Sequence, residues 1–248
     1  MPELDDRVAV VTGASGGLGR AIAEAFGAAG ARTVVAARRP DKVAEVADGI
    51  TTAGGTALAV PCDVTEESDV VALFAATNEA YGRVDVLVNN AGITVKIPTE
   101  EIPLEVWRNV LDVNITGPFL CAREAIKSMK RTGGGRIINI GSISAKTPRP
   151  HGAPYATTKL ALEGLTRSIS LDGREHGIAA SIIHLGATFT GQGFGSSLPN
   201  ETRSDDAIQL HAADVARIAV MMAALPAEAT VFDLTVLPVA QPSFIGRG

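Results

Sequence analysis

The sequence predicts a single α/β domain in which about seven parallel strands form one sheet with helices on both faces. Short runs rich in Val, Ile and Leu alternate with amphipathic segments of helical length through the whole chain. The strand-like runs are almost continuously apolar, which is typical of parallel strands buried on both faces. Right-handed crossovers between such strands give a doubly wound sheet. The chain has 248 residues, 46% of them hydrophobic, which is sufficient for one large core.

Each element follows from this pattern in order. The strands are predicted at residues 7–12, 32–37, 56–61, 84–89, 135–141, 178–185 and 230–236. The helices are predicted at about 17–30, 41–53, 66–81, 103–131, 153–175 and 211–224. The long irregular stretch at 186–206 is rich in Gly, Ser and Thr, and we expect it to be a lid or substrate loop, with a disordered insert as the alternative.

Composition excludes several classes of protein. A net charge of -5 argues against a nucleic-acid partner, because phosphate binding needs a basic surface. Two cysteines, Cys62 and Cys121, cannot build a disulfide scaffold, and without CxxC or HExxH motifs we expect no metal site. The first residues lack a signal-peptide pattern and no apolar run is long enough to span a bilayer. We therefore expect a cytoplasmic protein with no membrane association.

A glycine-rich turn joins the first strand to the first helix. It reads Thr12-Gly13-Ala14-Ser15-Gly16-Gly17-Leu18-Gly19. Glycines at three of these positions, Gly13, Gly17 and Gly19, permit a tight turn and close approach of the backbone to a pyrophosphate. The helix N-terminus offers free N–H groups and a positive dipole end to the same phosphates. The turn therefore predicts a Rossmann-type dinucleotide site, although the spacing GxxxGxG differs from the common GxGxxG.

The end of the second strand predicts the choice of cofactor. A site that prefers NAD usually has Asp or Glu here to hold the ribose 2′-hydroxyl, whereas this chain has Ala37 followed by Arg38 and Arg39. Guanidinium groups would bind a 2′-phosphate, and each charge-assisted hydrogen bond contributes about 1.5–3 kcal/mol. The pattern favours NADP(H); the alternative is that both arginines are solvated loop charges.

Tyr155 and Lys159 start a long predicted helix and lie on one face of it, since residues four apart are neighbours. A free Tyr has a pKa of about 10, and lowering that pKa to about 7 requires roughly 4 kcal/mol. A cation about 4 Å away at an effective dielectric of about 20 supplies that much. We therefore expect Lys159 to make Tyr155 a general acid or base.

Further polar groups end neighbouring strands at the same edge of the sheet. Ser142 ends the fifth strand, where its hydroxyl can polarise a carbonyl oxygen. Asn89-Asn90-Ala91-Gly92 ends the fourth strand. Asn114 lies inside the following predicted helix, where Asn has poor propensity, so we expect a side-chain or water-binding role. The alternative is that Gly117-Pro118 alone distorts that helix.

Taken together, these motifs resemble the short-chain dehydrogenase/reductases, in their single-domain branch of about 250 residues. Besides Thr12–Gly19, Asn89–Gly92, Asn114, Ser142, Tyr155 and Lys159, the resemblance covers Cys62-Asp63-Val64 at the end of the third strand. It implies that the cofactor contacts Gly13, Ser15, Gly17, Leu18, Gly19, Ala37, Arg38, Arg39, Asp63, Val64, Asn90, Ala91, Gly92, Tyr155, Lys159, Gly186, Thr188 and Thr190.

The resemblance also implies a mechanism. Tyr155 would be the proton donor in reduction, and Ser142 would orient the substrate oxygen. Lys159 would lower the Tyr155 pKa and bind the nicotinamide ribose, while Asn114 would hold a water that relays protons to Lys159. Hydride would pass between the nicotinamide and a carbonyl carbon.

Two departures from the family pattern stand near the C-terminus. Leu185 replaces a frequent Pro before Gly186, which predicts a looser loop, although Gly186, Thr188 and Thr190 remain and cofactor binding should survive. The Asp-Gly-Gly ending of many members is absent, which weakens the analogy to 3-oxoacyl reductases.

The predicted substrate pocket is mostly apolar. It would be lined by Thr94, Val95, Ile97, Ser144, His151, Phe189 and Phe194. These residue types favour a small or medium, largely uncharged carbonyl or alcohol compound. Alternatives are a carrier-bound 3-oxoacyl thioester and a non-catalytic NADP(H) redox sensor, although sensors usually lose the Tyr or the Lys. By resemblance, we expect a homodimer or homotetramer formed through the helices at 103–131 and 153–175.

Overall fold

The computed structural model describes residues 3–189, 209–239, 241 and 244. Its strands are β1 (Val8–Thr12), β2 (Arg32–Ala37), β3 (Thr56–Pro61), β4 (Val86–Asn89), β5 (Gly135–Ser142), β6 (Ile178–Leu185), β7 (Thr188–Phe189), β8 (Leu210–His211) and β9 (Asp233–Val236). Its helices are α1 (Gly17–Ala28), α2 (Pro40–Thr52), α3 (Glu67–Tyr81), α4 (Leu104–Leu111), α5 (Gly117–Thr132), α6 (Ala153–Gly173) and α7 (Ala212–Ala224).

Seven of these strands form one parallel sheet in the order β3-β2-β1-β4-β5-β6-β9. The chain moves outward from β1 to β3, then returns to the other side of β1 with β4, as in a doubly wound fold. The predicted α/β fold with a seven-stranded parallel sheet is thereby confirmed. The switch point between β1 and β4 lies at the carboxyl edge of the sheet, where such folds bind ligands.

The core lies on both faces of this sheet. One apolar cluster packs α1, α2 and α7 on one face, and the other packs α3, α5 and part of α6 on the opposite face. All five residues of β1 are buried, because helices cover the strand on both sides. A buried polar chain ties the second face together: Asn89 of β4 donates to Asn139 of β5, and Asn139 donates to Thr166 of α6.

The predicted continuous helix at 103–131 is wrong in one respect, since a π-helical turn at Asp112–Thr116 separates α4 from α5. The Gly117 N–H reaches back five residues to the Asp112 carbonyl. Pro118 has no N–H to donate to Asn114, four residues earlier, so a regular α-helix cannot continue here. Both explanations of this segment therefore hold in part: Pro118 prevents a regular α-helix, and Asn114 lies in the π-helical turn.

Other differences are small. The last strand begins at Asp233 rather than 230, and β4 begins at Val86 rather than 84. The short parallel pair β7–β8 follows the main sheet, and the loop predicted at 186–206 lies mostly outside the described residues. Among the described residues, no helix is both long and apolar enough to cross a membrane, and no group of three or more His, Cys, Asp or Glu could hold a metal ion.

Candidate active site

The glycine-rich turn is held in place by the end of the neighbouring strand β4. The Asn90 side-chain amide donates to the Thr12 carbonyl at 2.9 Å, and the backbone N–H groups of Asn90 and Ala91 donate to the Thr12 hydroxyl. The Asn90 Oδ1 is buried without a hydrogen-bond partner among the described residues. The family resemblance implies that Asn90 contacts the cofactor. In the structure, Asn90 also holds in place the glycine-rich turn that would bind the cofactor.

Two glycines of this turn have no room for a side chain. A Cβ on Gly19 would lie 2.4 Å from the Gly13 carbonyl oxygen, and a Cβ on Gly13 would lie 2.8 Å from the Ala91 Cα. Gly13 also has a φ of 65°, which glycine adopts without strain. Helix α1 then begins at Gly17 with no side-chain cap, so its first N–H groups are free to bind phosphate.

A cavity of about 430 Å³ extends from this turn along the ends of β2 and β3. Its lining contains many of the predicted cofactor residues: Gly13, Ser15, Ala37, Arg38, Arg39, Asp63, Val64, Ala91 and Gly92. The Arg39 guanidinium donates to the Ser15 hydroxyl at 3.3 Å, which places one cation across the glycine turn. The residues present therefore fit a dinucleotide with a phosphorylated adenosine ribose.

Ser142, Tyr155 and Lys159 lie together in a second cavity of about 280 Å³. Leu18, Asn90 and Gly92 line it as well, so it borders the cofactor cavity, which shares Gly92. Ser142 ends β5 and Tyr155 lies in the first turn of α6, which places both side chains at the carboxyl edge of the sheet. The structure thus brings together three of the four residues predicted to carry catalysis.

Lys159 is held against the sheet rather than against the Tyr155 hydroxyl. Its ammonium donates to the Ile140 carbonyl at 2.7 Å and lies 5.5 Å from the centre of the Tyr155 ring. The side chain is 5% exposed, and this burial lowers the pKa of Lys159 to about 8. The Lys159 ammonium can therefore lose its proton at mildly alkaline pH.

Burial raises the pKa of Tyr155 above its usual range, whereas the sequence argument expected Lys159 to lower it. Two groups oppose the effect of burial: a hydrogen bond with Ser142 and the positive charge of Arg149. In this arrangement the cation that favours the ionised Tyr155 is Arg149. Tyr155 therefore keeps its proton at neutral pH.

Asn114 braces the site through both ends of its side chain. Its Oδ1 accepts from the Ile93 N–H at 2.8 Å, and its Nδ2 donates to the Ile93 carbonyl and to the Thr158 hydroxyl. The Thr158 hydroxyl in turn donates to the Tyr155 carbonyl at 2.8 Å. The side chain thus connects the π-helical turn to the segment after β4 and to α6, and its role in holding a water remains a prediction.

His184 lies behind Ser142, fully buried on the neighbouring strand β6. Its Nδ1 is 3.1 Å from the Ser142 carbonyl, and its Nε2 is 3.3 Å from the Glu163 carboxylate. Ser142 Oγ also accepts from the Ser144 N–H at 3.1 Å. The contact between His184 and the Ser142 carbonyl holds the end of β5 against β6, which gives this buried histidine a structural place behind the site.

The turn after β6 is anchored by the C-terminal segment. The Gly186 N–H donates to the Val236 carbonyl, and the Ala187 N–H donates to Gln241 Oε1 at 2.9 Å. The Thr188 hydroxyl donates to the Gly186 carbonyl at 3.0 Å. Gln241 thus supports the loop that Leu185, in place of proline, was expected to loosen.

The predicted substrate residues divide into three groups. Thr94, Val95 and Ser144 line the catalytic cavity, together with Thr188. His151 is exposed and, like Ile97, is absent from that lining. Only the backbone of Phe189 is described, in β7, while Thr190 and Phe194 lie outside the described residues.

Sequence reasoning missed two cations in the same lining, Lys96 and Arg149. Both lie in irregular segments beside the motifs, where neither periodicity nor spacing indicates which way a side chain faces. A long cationic side chain in a loop is most often solvated, so the sequence alone gave no reason to select them.

Comparisons with known proteins show the family of this chain. A family model described as short chain dehydrogenase matches residues 7–195. The chain is 41% identical over 190 residues to 3beta-hydroxysteroid dehydrogenase 1 of Eggerthella lenta, covering 76% of this chain and 73% of that protein. It is 38% identical over 184 residues to the 3beta-hydroxysteroid dehydrogenase of Mediterraneibacter gnavus, covering 74% of this chain and 66% of that protein.

Solved structures share the architecture. A metagenomic short-chain oxidoreductase in complex with NADP superposes with a TM-score of 0.83 at 32% identity, over 96% of this chain and 99% of that one. A 7 alpha-hydroxysteroid dehydrogenase complexed with NADH and 7-oxo glycochenodeoxycholic acid gives a TM-score of 0.86 at 31% identity, over 94% of this chain and 93% of that one. The chain is therefore a member of the short-chain dehydrogenase/reductase family and an oxidoreductase of CH–OH and C=O groups.

Proposed function

We propose that the protein is an NADP(H)-dependent oxidoreductase that interconverts a ketone or aldehyde and the corresponding alcohol, with Tyr155 as general acid and base. The observation that carries this proposal is the convergence of Ser142, Tyr155 and Lys159 in one cavity that borders the glycine-rich turn. A redox sensor that only bound NADP(H), without turnover, would not need Ser142, Tyr155 and Lys159 together in one cavity.

The preference for NADP(H) rests on charge at the end of β2. The buried Ala37 offers no carboxylate, while Arg38 and Arg39 line the adjoining cavity. Two guanidinium groups can bind a 2′-phosphate, and a carboxylate at the Ala37 position would repel it. One similar structure is a complex with NADP and another is a complex with NADH, so these two structures do not decide the cofactor preference. The preference for NADP(H) is inferred from Arg38 and Arg39 of this chain.

The chain's own residues divide the reaction between them. A bound nicotinamide cofactor would supply or accept the hydride. Ser142 donates a hydrogen bond to the substrate oxygen and orients the carbonyl. Tyr155, whose pKa is raised by burial, holds the proton that the substrate oxygen needs and returns to the same protonated state by exchange with solvent. Lys159 would hold the ribose of a bound cofactor, and its ammonium lies beside the Tyr155 ring.

The substrate has an apolar body. The catalytic cavity is lined by the apolar side chains of Val95, Ile140, Ile143 and Leu185. The curated relatives named as hydroxysteroid dehydrogenases support a secondary alcohol on an apolar skeleton as the class to test first. A carrier-bound 3-oxoacyl thioester is the alternative.

The experiment is NADPH oxidation, followed by absorbance, with a panel of steroid ketones, simple ketones, aldehydes and 3-oxoacyl thioesters. We expect turnover with at least one steroid or simple ketone and loss of about 1,000-fold or more in kcat for Tyr155→Phe, because the proton donor is gone. NADPH binding by Tyr155→Phe, measured by fluorescence, controls for folding. Turnover that is unchanged in Tyr155→Phe would refute the assignment.

A further inference from the structure

We propose that Lys96 and Arg149 form an anion-binding wall of the catalytic cavity, and that the substrate carries a carboxylate at the end remote from its reacting oxygen. This inference rests on the proposed function, because it places the reacting carbonyl at Ser142 and Tyr155. It names a property of the substrate that the reaction itself does not require. Residues Lys96 and Arg149 are called the cationic wall below.

The backbone brings the two cations of the cationic wall together. Arg149 begins a tight turn that the Gly152 N–H closes on the Arg149 carbonyl at 3.2 Å. At the next corner of this turn, the His151 carbonyl accepts from the Ile97 N–H at 2.9 Å. The segments that carry Lys96 and Arg149 are therefore fastened to each other beside the cavity that both residues line.

The turn that begins at Arg149 contains an unfavourable backbone conformation. His151 has a φ of 62°, a left-handed conformation that non-glycine residues seldom adopt. Pro150 before it presets the first corner, as in a type II turn. Such conformations persist where the surrounding structure enforces them, and they cluster at sites that bind ligands.

The cationic wall has no anionic partner in the part of the chain that the structure describes. Neither side chain forms an ion pair or a side-chain hydrogen bond there, whereas the half-buried Arg20 and Arg123 each pair with two carboxylates. No described residue of the cavity lining is acidic. Two unpaired cations on a protein with a net charge of -5 create a local positive field that attracts an anion.

The chemistry of the wall favours a carboxylate on an otherwise apolar molecule. Arginine can bind a carboxylate through two parallel hydrogen bonds, with lysine as a second point charge. Both residues are exposed, so the bound carboxylate stays partly hydrated and its desolvation costs little. The rest of the lining is largely apolar, and the arginines suited to cofactor phosphate, Arg38 and Arg39, line the other cavity.

The test compares matched acids and esters. The probes are a 3-oxosteroid with a side-chain carboxylate, a series of ω-carboxylated methyl ketones of increasing length, and the methyl ester of each. We expect a higher kcat/KM for the acid, expressed mainly in KM. Arg149→Gln and Lys96→Gln should each reduce the acid-to-ester ratio of kcat/KM by about 10-fold, and Arg149→Lys by less. The ratio should also fall with added salt.

Because Arg149 also acts on the pKa of Tyr155, the ratio is used rather than the rate itself, since an effect on proton transfer changes both probes equally. Lys130→Gln, an exposed lysine on α5 outside the cavity lining, is the matched control and should leave the ratio unchanged. A wild-type ratio near one, or a ratio that Arg149→Gln leaves unchanged, would overturn the proposal.

Binding separates this inference from the proposed function. Calorimetric titration of the enzyme–NADP⁺ complex with each acid and ester measures the anion preference whether or not turnover occurs. Turnover of the esters with equal affinity for the acids would retain the function and reject the cationic wall. Tighter binding of acids without turnover would retain the wall and reject the function. If Arg149→Gln lowers kcat/KM only for 3-oxoacyl thioesters, the cationic wall binds a phosphate rather than a substrate carboxylate, and the proposal is rejected.

Discussion

At the scale of single residues, burial decides which protonation state Lys159 and Tyr155, the proposed catalytic pair, each prefer. Lys159 is buried against the Ile140 carbonyl with its pKa lowered to about 8, and Tyr155 is buried with its pKa raised. The sequence showed the Tyr155–Lys159 pair through its helical spacing. It could not show that the ammonium lies over the ring, because that depends on where β5 ends relative to α6.

The Lys159 pKa gives a prediction for stability. An unfolded lysine keeps its proton up to about pH 10.4, whereas folded Lys159 loses it near pH 8, so between these values the unfolded state binds more protons. The free energy of unfolding should therefore gain a contribution that rises with pH above 8, by at most about 1.4 kcal/mol per pH unit. Lys159→Met should lack this contribution in urea unfolding measured at several pH values between 8 and 10. Parallel pH dependences for both proteins would contradict the pKa assigned here.

Cofactor choice is a second prediction at this scale. Ala37→Asp combined with Arg38→Ala should move the ratio of kcat/KM values for NADPH and NADH toward NADH by about 10-fold or more, because it removes a guanidinium and adds a repelling carboxylate. Arg39→Ala alone measures the other guanidinium, which contacts Ser15. An unchanged ratio in the double variant would show that Arg38 is not the selector.

Some residues of the candidate site could be predicted from the sequence and others could not. Ser142 and Tyr155 were found because strand ends and helix starts fix their places at the sheet edge. Lys96 and Arg149 were not found, because their segments are irregular and are joined by a tertiary contact, the hydrogen bond between Ile97 and His151. Spacing along the chain carries no information on such a contact.

At the scale of elements, the bounds of the strands in the main sheet were predicted within about three residues. One long predicted helix, by contrast, is interrupted. The apolar runs of β1, β2, β4, β5 and β6 leave little choice of structure, since their neighbours bury them on both sides, whereas the edge strand β3 is only partly buried. The predicted helix at 103–131 is interrupted because Pro118 has no N–H to donate to the Asn114 carbonyl, and the Asn114 side chain bonds to Ile93 and Thr158 at this break. Periodicity continues across such an interruption, so it gives no warning.

The turn after β6 gives the prediction that belongs to elements. Gln241→Met keeps the length of the side chain but removes the oxygen that accepts from the Ala187 N–H, so the turn at Gly186 should loosen. We expect the Kd for NADPH, measured by fluorescence, to rise several-fold, with thermal stability changed little. Gln241→Glu keeps an accepting oxygen and should bind NADPH nearly as the wild type does. Equal Kd values for the Met variant and the wild type would show that the anchor is not needed.

At the scale of the whole molecule, exposed apolar side chains mark the expected interface. Phe119 on α5 is 47% exposed, and Leu160 and Leu171 on α6 are 55% and 64% exposed. Leu160 and Leu171 are eleven residues apart, about three turns, so they lie on one face of the helix. We propose that these exposed apolar side chains contribute to an assembly through α5 and α6.

This proposal predicts a change of mass. The wild type should sediment as a dimer or tetramer, and Leu160→Glu should shift it toward the monomer, because a buried charge without a partner destabilises an interface. Val71→Glu, at an exposed apolar residue of α3, is the control and should not change the mass. A monomeric wild type would exclude the proposed assembly.

The most direct test of the central claim is transfer of deuterium from NADPH labelled at both hydrogens of nicotinamide C4. The purified enzyme is incubated with the labelled cofactor and the best ketone of the panel, and the alcohol is examined by mass spectrometry. We expect a single deuterium on the carbinol carbon of the wild-type product, and almost no alcohol with Tyr155→Phe. An alcohol without deuterium, or an equal yield from Tyr155→Phe, would contradict it.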